Sequence, residues 1–191
     1  MRNIFKKTMN ALGVVVIAGM VAACSSSLTY NEAVQKNARK ITDPEKLDDA
    51  RFLVDAASYN ILATKLSEAA INSGYSASVV RLAKENKEEQ AEMGKELKKL
   101  ARQEHVALPA EMNEDHQKLL AQLTASDRRE FDRNYIRILR EASEDGSHRF
   151  EQMATEGESD DVRAFAAREL HLFESSKSGL ETVDAELLKT Y

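Results

Sequence analysis

The chain of 191 residues has one cysteine, two prolines, seven glycines and no tryptophan. Each scarcity excludes something. A lone thiol cannot close a disulfide within the chain, so no covalent staple is expected. So few glycines leave no phosphate-cradling loop: neither a P-loop nor a dinucleotide fingerprint occurs. A G-x-S-x-G nucleophile turn and an H-E-x-x-H zinc helix are missing too. Strand-like alternation of useful length does not occur. The longest apolar stretch, Ala11 to Ala23, has thirteen residues, short of the roughly 20 that a membrane-spanning helix needs.

What is there begins with that stretch. Arg2, Lys6 and Lys7 form a basic start without an acid, the apolar run follows, and small residues lead to Val21-Ala22-Ala23-Cys24. This is the three-part order of an export signal, and it resembles the signal of a bacterial lipoprotein. Residues 1–23 are therefore expected to be removed and Cys24 to carry lipid. Ser25, Ser26 and Ser27 begin a polar tether, expected over 24–42 with a loose helix between Asn31 and Lys40. Ser25 after the cysteine resembles the choice that sorts lipoproteins to the outer membrane, which implies a body facing the periplasm.

Charge narrows the partners. The full chain has 27 Lys and Arg against 32 Asp and Glu. Without the three basic residues of the leader the balance is 24 against 32, a net of −8. Nucleic acid needs clustered cations, as does contact with anionic lipid. Neither is expected, so lipid on Cys24 must hold the protein to the membrane alone.

The remaining residues, rich in Ala, Leu, Glu, Lys and Arg, favour helix and suffice for one cored domain. Asp43 and Pro44 suit a helix start. Leu47, Ala50, Val54, Ala57 and Ile61 continue it at the spacing of one helix face, and Gly74 supplies a stop. A second helix is expected over Ala77 to Glu104, on the stripe Val79, Ala83, Asn86, Gln90, Met93, Leu97, Leu100. Val106-Ala107-Leu108-Pro109 breaks it. A short helix carries His116, Leu119, Leu120 and Leu123 on one side. Thr124 and Asp127 look like a capping pair for a third long helix, with Phe131, Tyr135, Ile138, Ala142, Gly146, Phe150 and Met153 inward and Gly157 at its end. Ser159 is expected to cap a fourth, striped by Val162, Phe165, Glu169, Phe173, Ser176, Leu180, Val183 and Leu187. The fold expected over 43–191 is all-α: an antiparallel four-helix bundle with one short extra helix.

Bundles of this kind can hold two irons through Glu-x-x-His pairs. The residues three before His105, His116, His148 and His171 are Arg102, Asn113, Asp145 and Arg168, so no such pair occurs. His148 and His171 read as solvated, and the scattered Met93, Met112 and Met153 as core filler. His116, on an apolar side, is the one weak candidate ligand; a neutral histidine hydrogen-bonded at the bundle edge is the plainer account. Polar residues on the apolar stripes stand out: Asn86, Gln90, Glu169 and Ser176, with Ser143 beside Ala142. Buried polar groups must be hydrogen-bonded, so a register-fixing network is expected, unless Glu169 leans out to solvent.

Four stretches carry a family resemblance: Ala50-Arg51-Phe52-Leu53-Val54-Asp55-Ala56-Ala57; Val106 to Pro109 followed by Asp115-His116-Gln117-Lys118-Leu119-Leu120; Phe131-Asp132-Arg133-Asn134-Tyr135; and Val162-Arg163-Ala164-Phe165-Ala166-Ala167. In order and spacing they resemble the DUF4142 family of bacterial envelope proteins. The resemblance implies a ferritin-like four-helix architecture. It also implies internal histidines, and these fall at Gln90, Ser143 and Ser176, while the expected first-helix Glu falls near Ala63 or Lys65 and a usual fourth-helix proline at His171. His116 matches its family position.

These readings lead to a non-enzymatic lipoprotein that acts through contacts with another envelope protein and needs no cofactor. The rival is a ferritin-like metal-binding protein with a rearranged or degenerate site. A carrier of an apolar ligand between the helices is a third reading, suggested by Ala142, Ser143 and Gly146 beside the polar seam.

Overall fold

The computed structural model describes residues 27–190, and all regular structure among them is helical. Six helices follow one another: α1 (Tyr30–Lys40), α2 (Pro44–Ser73), α3 (Ala77–Gln103), α4 (Glu114–Thr124), α5 (Phe131–Glu156) and α6 (Asp160–Thr190). Residues 1–23, read as a leader, and Cys24 lie outside the described residues. No helix within them is long and apolar enough to cross a membrane.

Helices α2 and α3 form one hairpin, α5 and α6 the other, and the two pack with α2 against α5 and α3 against α6. Every adjacent pair runs antiparallel, so α3 and α5 stand on a diagonal and run the same way. A long crossover containing α4 joins them, lying over α2 and α5. One long crossover in a four-helix bundle is the ferritin-like arrangement. The interior is one continuous cluster from all four long helices, with Phe52, Leu62, Leu97, Tyr135, Ile138 and Phe165 at its centre. Phe52, Phe150, Phe165 and Phe173 meet edge to face or tilted, the geometry that aromatic quadrupoles favour.

The two hairpins close in the same way. Gly74 and Gly157 end α2 and α5, both in extended backbone. A Cβ would come within 2.6 Å of the Ala70 carbonyl oxygen at the first and 2.9 Å of the Met153 carbonyl oxygen at the second, so the tight turn requires glycine. The amides that follow are bound by an aspartate from the opposite hairpin. Asp132 accepts from Tyr75 and Ser76 at 3.0 and 2.7 Å. Asp49 accepts from Glu158 and Ser159 at 3.0 and 2.8 Å. Each clamp satisfies amides at a helix start that have no partner inside their helix.

Several local expectations change. The segment read as tether is in large part a docked helix. Thr29 and Glu32 form a capping box at the start of α1, Ala33 and Asn37 are buried, and Asn37 trades two hydrogen bonds with the Ala107 backbone at 2.9 and 2.8 Å. The bundle therefore carries two short helices, α1 and α4. Asp43 caps α2 as its sequence suggests. Thr124 does not cap the third long helix: its hydroxyl donates back to Leu120 and Ala121, and Asp127 alone receives the next amides, from Arg129 and Glu130. Ser159 directs its hydroxyl to Glu104 at 2.6 Å, while Asp49 takes its amide. Helix α3 ends before Pro109 acts. His105, at φ 57°, turns left-handed, and the amides of His105 and Val106 reach the carbonyls of Arg102 and Ala101, the paired closure of a Schellman motif.

Candidate functional site

All five polar seam residues reach one place. Asn86 and Gln90 from α3, Ser143 from α5, and Glu169 and Ser176 from α6 line a partly open cavity of about 160 Å³ between the long helices. Helical spacing explains the convergence: Asn86 and Gln90 lie one turn apart, and Glu169 and Ser176 two turns apart. Glu169 does not lean out to solvent; it is 4% exposed.

On one side the seam is a closed network. Asn86 donates to Ser67 Oγ at 2.8 Å, and Ser67 donates to the Ala63 carbonyl. Asn60 donates to the side-chain and backbone oxygens of Gln90 at 3.0 and 2.6 Å. These bonds tie α2 to α3 at a single register. Tyr135 stands beside Ser67 and Asn86 with its hydroxyl buried and outside hydrogen-bonding geometry; burial pushes that hydroxyl up to about 12. On the open side the pairing is sparse. Tyr59 shares a 3.2 Å hydrogen bond with Ser143, and Ser176 donates to Glu89 Oε2 at 3.2 Å. Burial raises the pKa values of Glu89 and Glu169 above the usual carboxylate range.

Sequence reading missed Glu85, Glu89, Tyr59 and Phe173 as members of this site, all of which line it. Glu85 and Glu89 directly precede Asn86 and Gln90, a signal that was legible once the amides were noticed. Tyr59 lies off the stripe read for α2. That helix packs against α1, α3, α4 and α5, so it is buried round more of its circumference than one stripe allows.

His116 belongs to a second cluster on the far side of α2. Its Nδ1 lies 2.7 Å from Ser58 Oγ, which also accepts the Asn113 amide at 2.9 Å. Since Ser58 is already an acceptor, its own proton suits a neutral imidazole. Burial, the largest influence, lowers the His116 pKa, opposed by Ser58 and Asp55. Asp55 in turn accepts from the Tyr30 hydroxyl at 2.5 Å. Serine, histidine and aspartate thus meet, but Ser58 is wholly buried and bonded to Nδ1, so it offers no exposed nucleophile. The cluster fastens α1 and α4 onto α2. His148 and His171 are exposed, the latter 3.8 Å from Glu174. Among the described residues, no three His, Cys, Asp or Glu side chains converge as a metal-holding group.

Topology and cavity together define a ferritin-like helical bundle with a polar pocket between its hairpins. The family model described as a domain of unknown function (DUF4142) matches residues 32–183, and the chain belongs to that family. The match begins inside α1, which agrees with α1 being part of the folded body. No curated protein and no solved structure matches the chain.

Proposed function

We propose that this protein is an outer-membrane lipoprotein, held by lipid on Cys24 with its body in the periplasm, and that the bundle is a non-enzymatic module acting through contacts with an envelope protein. The observation that supports this most is where the folded body starts. The Leu28 carbonyl accepts the Ala110 amide at 2.8 Å, four residues after Cys24. Four residues reach at most about 14 Å, whereas a tether over 25–42 would reach roughly 60 Å. The bundle then works beside the bilayer, where a membrane-bound partner meets a body of restricted height. Glu32, Glu111, Glu114 and Asp115 lie near that start, so anionic lipid repels this end and the anchor must supply the attraction.

Cys24→Ser tests the anchor. The variant is expected to keep its helical circular dichroism and to move from the membrane fraction to the soluble periplasm; retention on the membrane after leader cleavage overturns the reading. Crosslinking in intact cells tests the contacts: a discrete adduct is expected with the native chain and not with Cys24→Ser.

The metal-binding reading has one observation in its favour, the three carboxylates of Glu85, Glu89 and Glu169 along the cavity. Stoichiometric iron, zinc or manganese in the purified chain, lost with Glu169→Gln, would establish it over the contact reading.

A further inference from the structure

The cavity is acidic. Glu85, Glu89 and Glu169 line it, and among the described residues no lysine or arginine does. Glu169 is the sharpest case. Its side chain is 5% exposed, and its nearest cationic atom, Arg168 Nε, stands 3.7 Å away, beyond hydrogen-bonding distance. The same guanidinium is engaged by Glu96 at its other end. Arg168 is thus the partner Glu169 has among the described residues, and it is shared with Glu96. A buried carboxylate held by one long, shared ion pair is further stabilised by a second cation.

The rest of the wall selects the kind of cation. Phe173 and Tyr59 stand together, ring centroids 5.1 Å apart, and both border the cavity. Aromatic faces attract ammonium groups and also pack against alkyl chains. The volume of about 160 Å³ is far more than a bare ion fills, and close to that of cavities, roughly 150 Å³, that accept a ligand the size of benzene. A hard divalent ion demands several oxygens at about 2.0–2.6 Å from a common centre, and the described residues offer no such convergence. An alkylammonium makes no such demand: its three donors and its carbon chain are met by separated carboxylates, hydroxyls and rings.

We propose that the cavity between the hairpins binds a small aliphatic ammonium compound, with Glu169 as the buried counter-charge and Phe173 and Tyr59 against its carbon chain. The proposal does not depend on the lipid anchor or on a protein partner.

Calorimetric titration of the purified chain with putrescine tests it, with butanediol as the neutral analogue and magnesium, zinc and manganese as the metal arm. Saturable single-site binding of putrescine is expected, with a rise in melting temperature, as for any ligand that favours the folded state. Glu169→Gln should weaken binding about tenfold or more while melting no lower than the parent without ligand, since it removes a buried charge. Glu89→Gln, at an exposed residue and safer for folding, should weaken it less. Absence of saturation by ~50 mM, or butanediol binding as well as putrescine, overturns the proposal. So does binding unchanged in both variants, or a metal that occupies the cavity stoichiometrically and excludes putrescine.

Discussion

The two hairpins are built to one plan and used differently. In each, a glycine ends the first helix, a serine follows two residues later, and an aspartate of the other hairpin binds the amides of the turn. The α2–α3 hairpin adds two short helices to its back and spends its polar residues on fixed bonds: Asn60 with Gln90, Asn86 with Ser67, Ser58 with His116. The α5–α6 hairpin brings Ser143, Glu169, Phe173 and Ser176 to the cavity, where partners are few. The closed side sets the register, and the open side is free to meet something else.

Breaking the clamps should give the largest effect. Asp132→Ala leaves two turn amides of the first hairpin without a partner, and losses of about 2–4 kcal/mol follow from charge-assisted bonds to buried groups. Asp49→Ala strips the second hairpin of two bonds as well, but it also relieves repulsion. Burial, foremost, and then the nearby carboxylates of Glu104 and Asp48 raise the Asp49 pKa. The loss there should be nearer ~2 kcal/mol. Urea unfolding of the two variants compares them directly; equal losses would show that the carboxylate neighbours of Asp49 have no energetic weight.

The wrapping of the first hairpin comes next. Tyr30→Phe removes the bond to Asp55 that holds α1, at an expected cost of about 1–2 kcal/mol, seen as a lower midpoint and faster amide exchange in α1. His116 adds a pH dependence. Its folded pKa lies below the ordinary imidazole value of 6.5, so its contribution is complete above pH 6.5 and declines as pH falls through the folded value. Between pH 7.5 and 5, the native chain should therefore lose stability relative to His116→Gln. A constant gap between their melting temperatures across that range would show that His116 does not titrate differently on folding.

Much of this was legible in the chain. The stripes Val79 to Leu100 and Phe131 to Phe150 set out α3 and α5, because each of those helices buries one face and a 3.6-residue period reports one face well. The polar seam was visible for the same reason: Asn86, Gln90, Glu169 and Ser176 break stripes that are otherwise apolar. That they share one cavity was not visible, since periodicity describes each helix alone and not which turns of two helices sit level. The α1 segment was underestimated because its buried residues, Ala33 and Asn37, are small or polar, and its docking rests on the pairing of Asn37 with Ala107. Ser159 and Thr124 misled for a related reason: a hydroxyl caps by accepting from a free amide, and here Ser159 turns to Glu104 and Thr124 turns back to its own helix.

The smallest effect distinguishes how the hairpins leave the bundle. After α3 the chain turns back over α2 through His105, a non-glycine residue at φ 57°, where a side chain costs about 1 kcal/mol relative to glycine. No counterpart exists at Gly74 or Gly157, whose backbones stay extended. His105→Gly should stabilise the chain by about 0.5–1 kcal/mol, the relief of the left-handed turn offset in part by the greater freedom of glycine in the unfolded state. His105→Val, β-branched, should destabilise it by a similar or larger amount. The two variants share the loss of the imidazole, so opposite shifts in melting temperature isolate the backbone as the cause. Shifts in the same direction would mean instead that the exposed imidazole itself contributes to the crossover, and that the turn holds its shape whatever residue occupies it.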